Sequence, residues 1–120
     1  MTMENTILVV DDSPFMVRTL SFILEKAGYT VATAGSGTEA LAQARATQPR
    51  LILLDSVMPG MDGRQVLESI RQDPSLQKAR VVMVSGSDAD DLPEADGFVA
   101  KPFTPDKVLE TVARLIEAGS

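Results

Sequence analysis

Four branched apolar residues run straight into a carboxylate at Leu51-Ile52-Leu53-Leu54-Asp55, and a loop follows, Ser56-Val57-Met58-Pro59-Gly60-Met61-Asp62-Gly63. The run is short for a helix and has no polar side, so it reads as a strand buried on both faces. Asp55 is then the first residue to emerge at the C-terminal end of that strand. A charge in such a place is costly unless a neighbour compensates it.

The same pattern recurs along the chain. Thr6-Ile7-Leu8-Val9-Val10 is a second apolar run and ends on Asp11-Asp12. Ser13-Pro14 gives a cap and a proline for the first turn of a helix, with Val17, Leu20, Ile23, Leu24 and Ala27 at helical spacing and Gly28 at its end. Tyr29 to Thr33 reads as a short, weaker edge strand. Ser36 and Glu39 have the spacing of a capping box for a second helix, which stops at Gln48-Pro49. After the 51–55 strand, Val66, Leu67 and Ile70 mark a third helix. Arg80 to Val84 is a fourth strand ending on Ser85-Gly86. Residues 87–95 are acidic, contain Pro93, and read as an irregular loop with at most a turn or two of helix. Gly97 to Ala100 is a fifth strand, ending on Lys101-Pro102, and Thr104-Pro105 opens a last amphipathic helix. Strand and helix alternating in this way predict an α/β fold, a doubly wound five-stranded parallel sheet with helices on both faces.

In a parallel sheet the residues that follow each strand collect along one edge. Here they are Asp11, Asp12, Asp55, Ser85 and Lys101. Ligands of open α/β sheets bind at that edge where the strand order reverses, which for order 2-1-3-4-5 lies between strands 1 and 3. Three carboxylates held together repel one another, and a hard divalent cation relieves them; Mg²⁺ suits a few carboxylates, a carbonyl and waters. A lysine and a hydroxyl beside them suit a phosphoryl group. Asp55, on a central strand, is the better nucleophile candidate, with Asp11 and Asp12 holding the metal. Each residue alone has a plainer use: Asp11-Asp12 as helix-entry charges, Ser85 as a turn residue, Lys101 as a surface charge, Asp62-Gly63 as a turn. Gly35-Ser36-Gly37-Thr38-Glu39-Ala40 has the outline of a dinucleotide fingerprint but follows the second strand, where a capped turn accounts for it.

Composition narrows the chemistry. There are 120 residues, enough for one domain, and no cysteine or histidine, which excludes disulfides, thiolate or imidazole metal sites and Ser/His triads. A net charge of −6 and few aromatics oppose direct nucleic-acid or anionic membrane binding. No apolar run has the roughly 20 residues of a membrane span, and the first residues lack signal-peptide features, which fits a cytoplasmic location.

Taken together, Asp11-Asp12, Asp55 through Gly63, Ser85 and Lys101-Pro102-Phe103 resemble the CheY-like receiver domain of bacterial two-component response regulators, over roughly residues 5 to 118. The resemblance implies a flavodoxin-like sheet of order 2-1-3-4-5 and a single receiver domain over 1–120. It implies phosphorylation of Asp55 with Mg²⁺ by a histidine kinase or histidine phosphotransfer protein, shifting conformation to control a downstream protein. Asp12, Asp55 and the Val57 carbonyl would ligate the metal, with Asp11 acting largely through water. Ser85 and Lys101 would contact phosphoryl oxygens, Ser85 and Phe98 would be the switch pair, and Lys101-Pro102 would be cis. Ser85 and Lys101 are closer in sequence than usual for the family, so the fourth helix, between strands 4 and 5, is expected to be short or missing. Two other functions share the acidic edge: an Mg²⁺-dependent phosphatase with an aspartyl nucleophile, and an interaction module that is never phosphorylated.

Overall fold

The computed structural model describes residues 6–56, 63–86 and 95–118. Five strands, β1 (Thr6–Val10), β2 (Thr30–Ala34), β3 (Leu51–Asp55), β4 (Arg80–Ser85) and β5 (Gly97–Ala100), form one sheet of order β2-β1-β3-β4-β5. Every pairing is parallel. The helices are α1 (Pro14–Lys26), α2 (Gly37–Thr47), α3 (Gly63–Gln72) and α4 (Pro105–Ala118), and a 3₁₀ turn at Pro74–Leu76 lies between α3 and β4. The helix α4 follows β5. The expected shortening of the helix between β4 and β5 falls on residues 87–94, outside the described residues. With β4 ending at Ser85 and β5 starting at Gly97, that crossover is close to the shortest that a parallel connection allows.

The unbroken apolar runs of β1 and β3 follow from burial on both faces. Alternate residues point opposite ways. Leu8, Val10, Ile52, Leu54, Val81 and Met83 pack with Val66, Leu67 and Ile70 of α3 and Ala40 and Ala44 of α2. Ile7, Val9, Leu51, Leu53, Val82, Val84 and Val99 pack with Leu20 and Leu24 of α1 and Val108 and Val112 of α4. Truncating one of these buried leucines to alanine costs about 2–5 kcal/mol. β2 lies at the sheet edge and is half-exposed, in keeping with its mixed sequence.

Local signals set the helix ends. The Ser13 hydroxyl accepts from the Met16 N–H at 3.3 Å with Pro14 behind it. Ser36 accepts from the Glu39 N–H while Glu39 accepts from the Gly35 N–H, so the Gly35–Ala40 stretch is a capped turn. α2 ends on Gln48 at φ 50°, a left-handed conformation that glycine adopts more readily. Just before β5, the Asp96 carboxylate accepts from the Val81 N–H and from Arg71 and Arg80. The Asp96 N–H donates to the Val81 carbonyl. This pins the start of β5 to β4.

Candidate functional site

Register brings the acidic residues together. Val10 is level with Leu54, so Asp11 and Asp55 leave neighbouring strands side by side. Asp55 is level with Val84 and Ser85 with Ala100, so Ser85 and Lys101 follow on the next two strands. The Lys101 N–H donates to the Ser85 carbonyl at 2.8 Å. The Lys101–Pro102 peptide is cis.

Asp11, Asp12 and Asp55 each offer an oxygen within 4.8 Å of the other two. Asp11 and Asp55 are buried and Asp12 is exposed. Lys101 Nζ lies 3.3 Å from Asp55 Oδ1 and 4.0 Å from Asp11 Oδ2. The Ser13 N–H donates to Asp11 Oδ1 at 2.9 Å, which orients the carboxylate and leaves Oδ2 facing Lys101. Burial pushes the Asp11 pKa up, Asp55 and Asp12 add to the rise, and the Ser13 N–H and the Lys101 ammonium oppose it. The spacing Asp-x-Ser is an Asx-type turn signal, so this anchoring was open to sequence reasoning that did not use it.

Of the other residues singled out, Ser85 is buried at the end of β4. Phe98 is exposed on β5, opposite in direction to the buried Val99. Val57, with residues 58–62, lies outside the described residues. Beside the site, Phe15, Met16, Thr19, Lys101, Pro102 and Phe103 line an open groove. Phe15 is 69% exposed, while Met16 packs against the core.

The donor set fits a hard cation. Three converging carboxylates face one ammonium among the described residues, all donors are oxygen, and Mg²⁺ prefers oxygen ligands with room for water. The exposed Asp12 side keeps that room.

The sequence model of the response regulator receiver domain matches residues 7–113. The chain belongs to this family. Receiver domains are the phospho-accepting signalling domains of two-component systems. Among relatives of this receiver, the DNA-binding response regulator MtrA of Mycolicibacterium smegmatis is 37% identical over 95% of this chain and 52% of its own length. The alkaline phosphatase synthesis transcriptional regulatory protein PhoP of Bacillus subtilis is 35% identical over 95% of this chain and 49% of its own. The receiver therefore spans about half the length of these curated relatives. Among solved structures, chemotaxis protein CheY4 of Vibrio cholerae superposes with a TM-score of 0.86 at 31% identity, covering 92% of this chain and 97% of that one. Response regulator protein TrrA of Thermotoga maritima, in complex with Mg²⁺ and BeF, gives a TM-score of 0.85 at 34% identity, covering 92% and 98%. No helix among the described residues is long and apolar enough to cross a membrane.

Proposed function

We propose that Asp55 is the phosphoacceptor of this receiver and that Asp11 and Asp12 share the metal site with it. The observation that carries the reading is the meeting of three carboxylates within 4.8 Å, with the Lys101 ammonium 3.3 Å from Asp55. An Asp55 carboxylate oxygen attacks the phosphorus of the donor. The bond from phosphorus to the donor atom, a histidine nitrogen in a phosphorylated kinase or phosphotransfer protein, breaks, and that atom keeps the electron pair. Water later attacks the acyl phosphate, returning the Asp55 carboxylate and inorganic phosphate. The domain thus catalyses only its own phosphorylation and dephosphorylation.

Asp11, Asp12, Asp55 and the backbone carbonyl of Val57 would hold Mg²⁺, which when bound neutralises charge on the phosphoryl oxygens. Lys101, paired with Asp55 in the unphosphorylated protein, follows a phosphoryl oxygen once Asp55 is phosphorylated. Ser85 donates its hydroxyl to another. Ser85 and Phe98 then act as the switch, and with phenylalanine at position 98 that switch works through packing. The groove at Phe15, Met16 and Phe103 receives the histidine-bearing partner, since it is apolar and opens beside the acceptor.

Residues 1–120 form one receiver in this reading. It acts in the cytoplasm and controls a protein target without contacting nucleic acid itself. DNA binding in relatives such as MtrA would belong to the half of those proteins that this chain does not match. The test is intact mass after incubation with Mg²⁺ and acetyl phosphate. The expected result is one added phosphoryl group, lost in Asp55→Asn and with chelator. A gain that survives Asp55→Asn overturns the acceptor assignment, and phosphate release from unrelated monoesters favours a phosphatase instead.

A further inference from the structure

Helix α3 starts hard against the backbone that carries Asp55. Gly63 is its first residue and is buried. The Gly63 N–H donates to the Ser56 carbonyl at 3.2 Å. A Cβ built on Gly63 would stand 2.6 Å from the Asp55 carbonyl oxygen, 2.8 Å from Ser56 Cα and 2.9 Å from Met83 Cε. Carbon atoms pack at about 3.5–4.0 Å, so all three contacts are clashes. The flexible end of Met83 can swing aside. The other two atoms move only if the Asp55–Ser56 peptide moves. That peptide is held on its far side, where the Ser56 N–H donates to the Val84 carbonyl at 3.1 Å and Asp55 pairs with Val84 in the sheet. Space, and not a left-handed backbone, is what glycine supplies here. Alanine has the higher helix propensity of the two.

We propose that Gly63 is a positioning residue for the phosphoacceptor. By letting α3 close onto the Asp55–Ser56 peptide, it sets where the Asp55 carboxylate stands relative to Asp11, Asp12 and Lys101. The inference rests on Asp55 being the acceptor. Lys101 Nζ is 3.3 Å from Asp55 Oδ1, already near the long end of hydrogen bonding. A shift of the peptide that makes room for a methyl group breaks that contact and opens the carboxylate cluster. A misplacement of about 1 Å at a reacting group costs on the order of 100-fold in rate.

The experiment compares Gly63→Ala with Val66→Ala, a truncation of a buried core residue on the same helix. Phosphorylation rate by acetyl phosphate at saturating Mg²⁺ is followed by intact mass. Melting temperature is measured with and without Mg²⁺. Both variants should melt lower than wild type. Only Gly63→Ala should be slowed, by about 10-fold or more, and lose much of the Mg²⁺-induced rise in melting temperature. Both are also made in a Gln48→Gly background, which relieves the left-handed residue ending α2 and offsets lost stability. Wild-type labelling of Gly63→Ala overturns the proposal, as does equal slowing in Val66→Ala. Failure of Gly63→Ala to fold in either background overturns it too, since the glycine then serves the whole fold. Asp55→Asn labelled as fast as wild type defeats the acceptor reading itself, a result separate from any of these.

Discussion

Replacing Asp11 by asparagine should stabilise the metal-free protein and weaken its response to Mg²⁺. Asparagine keeps the shape and an oxygen for the Ser13 N–H, so the change isolates the charge. With oxygens up to 4.8 Å apart, Asp11 and Asp55 repel by about 3.5 kcal/mol at an effective dielectric of about 20. Lys101 at 4.0 Å from Asp11 returns about 4 kcal/mol by the same measure. The Asp55 and Lys101 terms nearly cancel, so burial of the Asp11 charge, the leading cause of its raised pKa, sets the sign, and repulsion from the exposed Asp12 acts in the same direction. Solvent at the rim damps every term, so the net gain should be about 1 kcal/mol, or about 3–5 °C in melting temperature for a domain of this size.

The gain has a definite pH dependence. The folded pKa of Asp11 lies above its ordinary 3.8, so between those values the folded protein holds a proton that the unfolded chain releases. The contribution of Asp11 to stability therefore falls as pH rises through that window. The advantage of Asp11→Asn is full above the raised value and fades as pH drops towards 3.8. Saturating Mg²⁺ reverses the order. A ligand at 100 times its Kd adds about 2.7 kcal/mol to the protein that binds it, and with the proposed metal site the variant would have lost one of the charges that hold the ion. Thermal melts in chelator and in Mg²⁺, from neutral pH downward, read all of this. An asparagine variant less stable than wild type in chelator, or equal to it in Mg²⁺ response, refutes the charge argument.

Two further outcomes follow from local geometry. Gln48→Gly should stabilise by about 0.5–1 kcal/mol in urea titrations, because φ 50° suits glycine and the side chain gives up only one exposed hydrogen bond to the Arg45 carbonyl; a loss would show that Gln48 contributes more than its conformation costs. Asp73 is held below its ordinary pKa, first by Arg45 at 2.8 Å and then by the Ser75 hydroxyl and N–H, so its contribution is present above 3.8 and lost as pH falls through the lowered value; carboxyl NMR titration of Arg45→Ala should show the Asp73 pKa rising towards normal, and an unmoved value would contradict the pairing.

The sheet was legible because burial on both faces leaves a simple mark, an apolar run that stops at a polar residue. β1 and β3 carry that mark most clearly, and both stop at aspartate. Once the order 2-1-3-4-5 is assumed, the meeting of Asp11 with Asp55 follows from register alone. Pro14 and Ser36 located two helix starts for the same local reasons that fix them in the fold. Asp96 was not legible as a hub, because its partners Arg71, Arg80 and Val81 lie in other elements and nothing near it in sequence marks the pairing. Gly63 read as a turn residue after Asp62, whereas it opens α3 and matters for the space it leaves at Asp55. A close approach between distant backbones has no periodicity and no composition, so it waits for coordinates.

The most direct measurement is the location of the phosphoryl group. Borohydride reduces an aspartyl phosphate to homoserine, and peptide mass mapping then finds the altered residue. After treatment with Mg²⁺ and acetyl phosphate, homoserine should appear at position 55 and be absent without Mg²⁺. Homoserine at position 11 or 12, or a phosphoryl group that survives borohydride on a serine, would contradict the account.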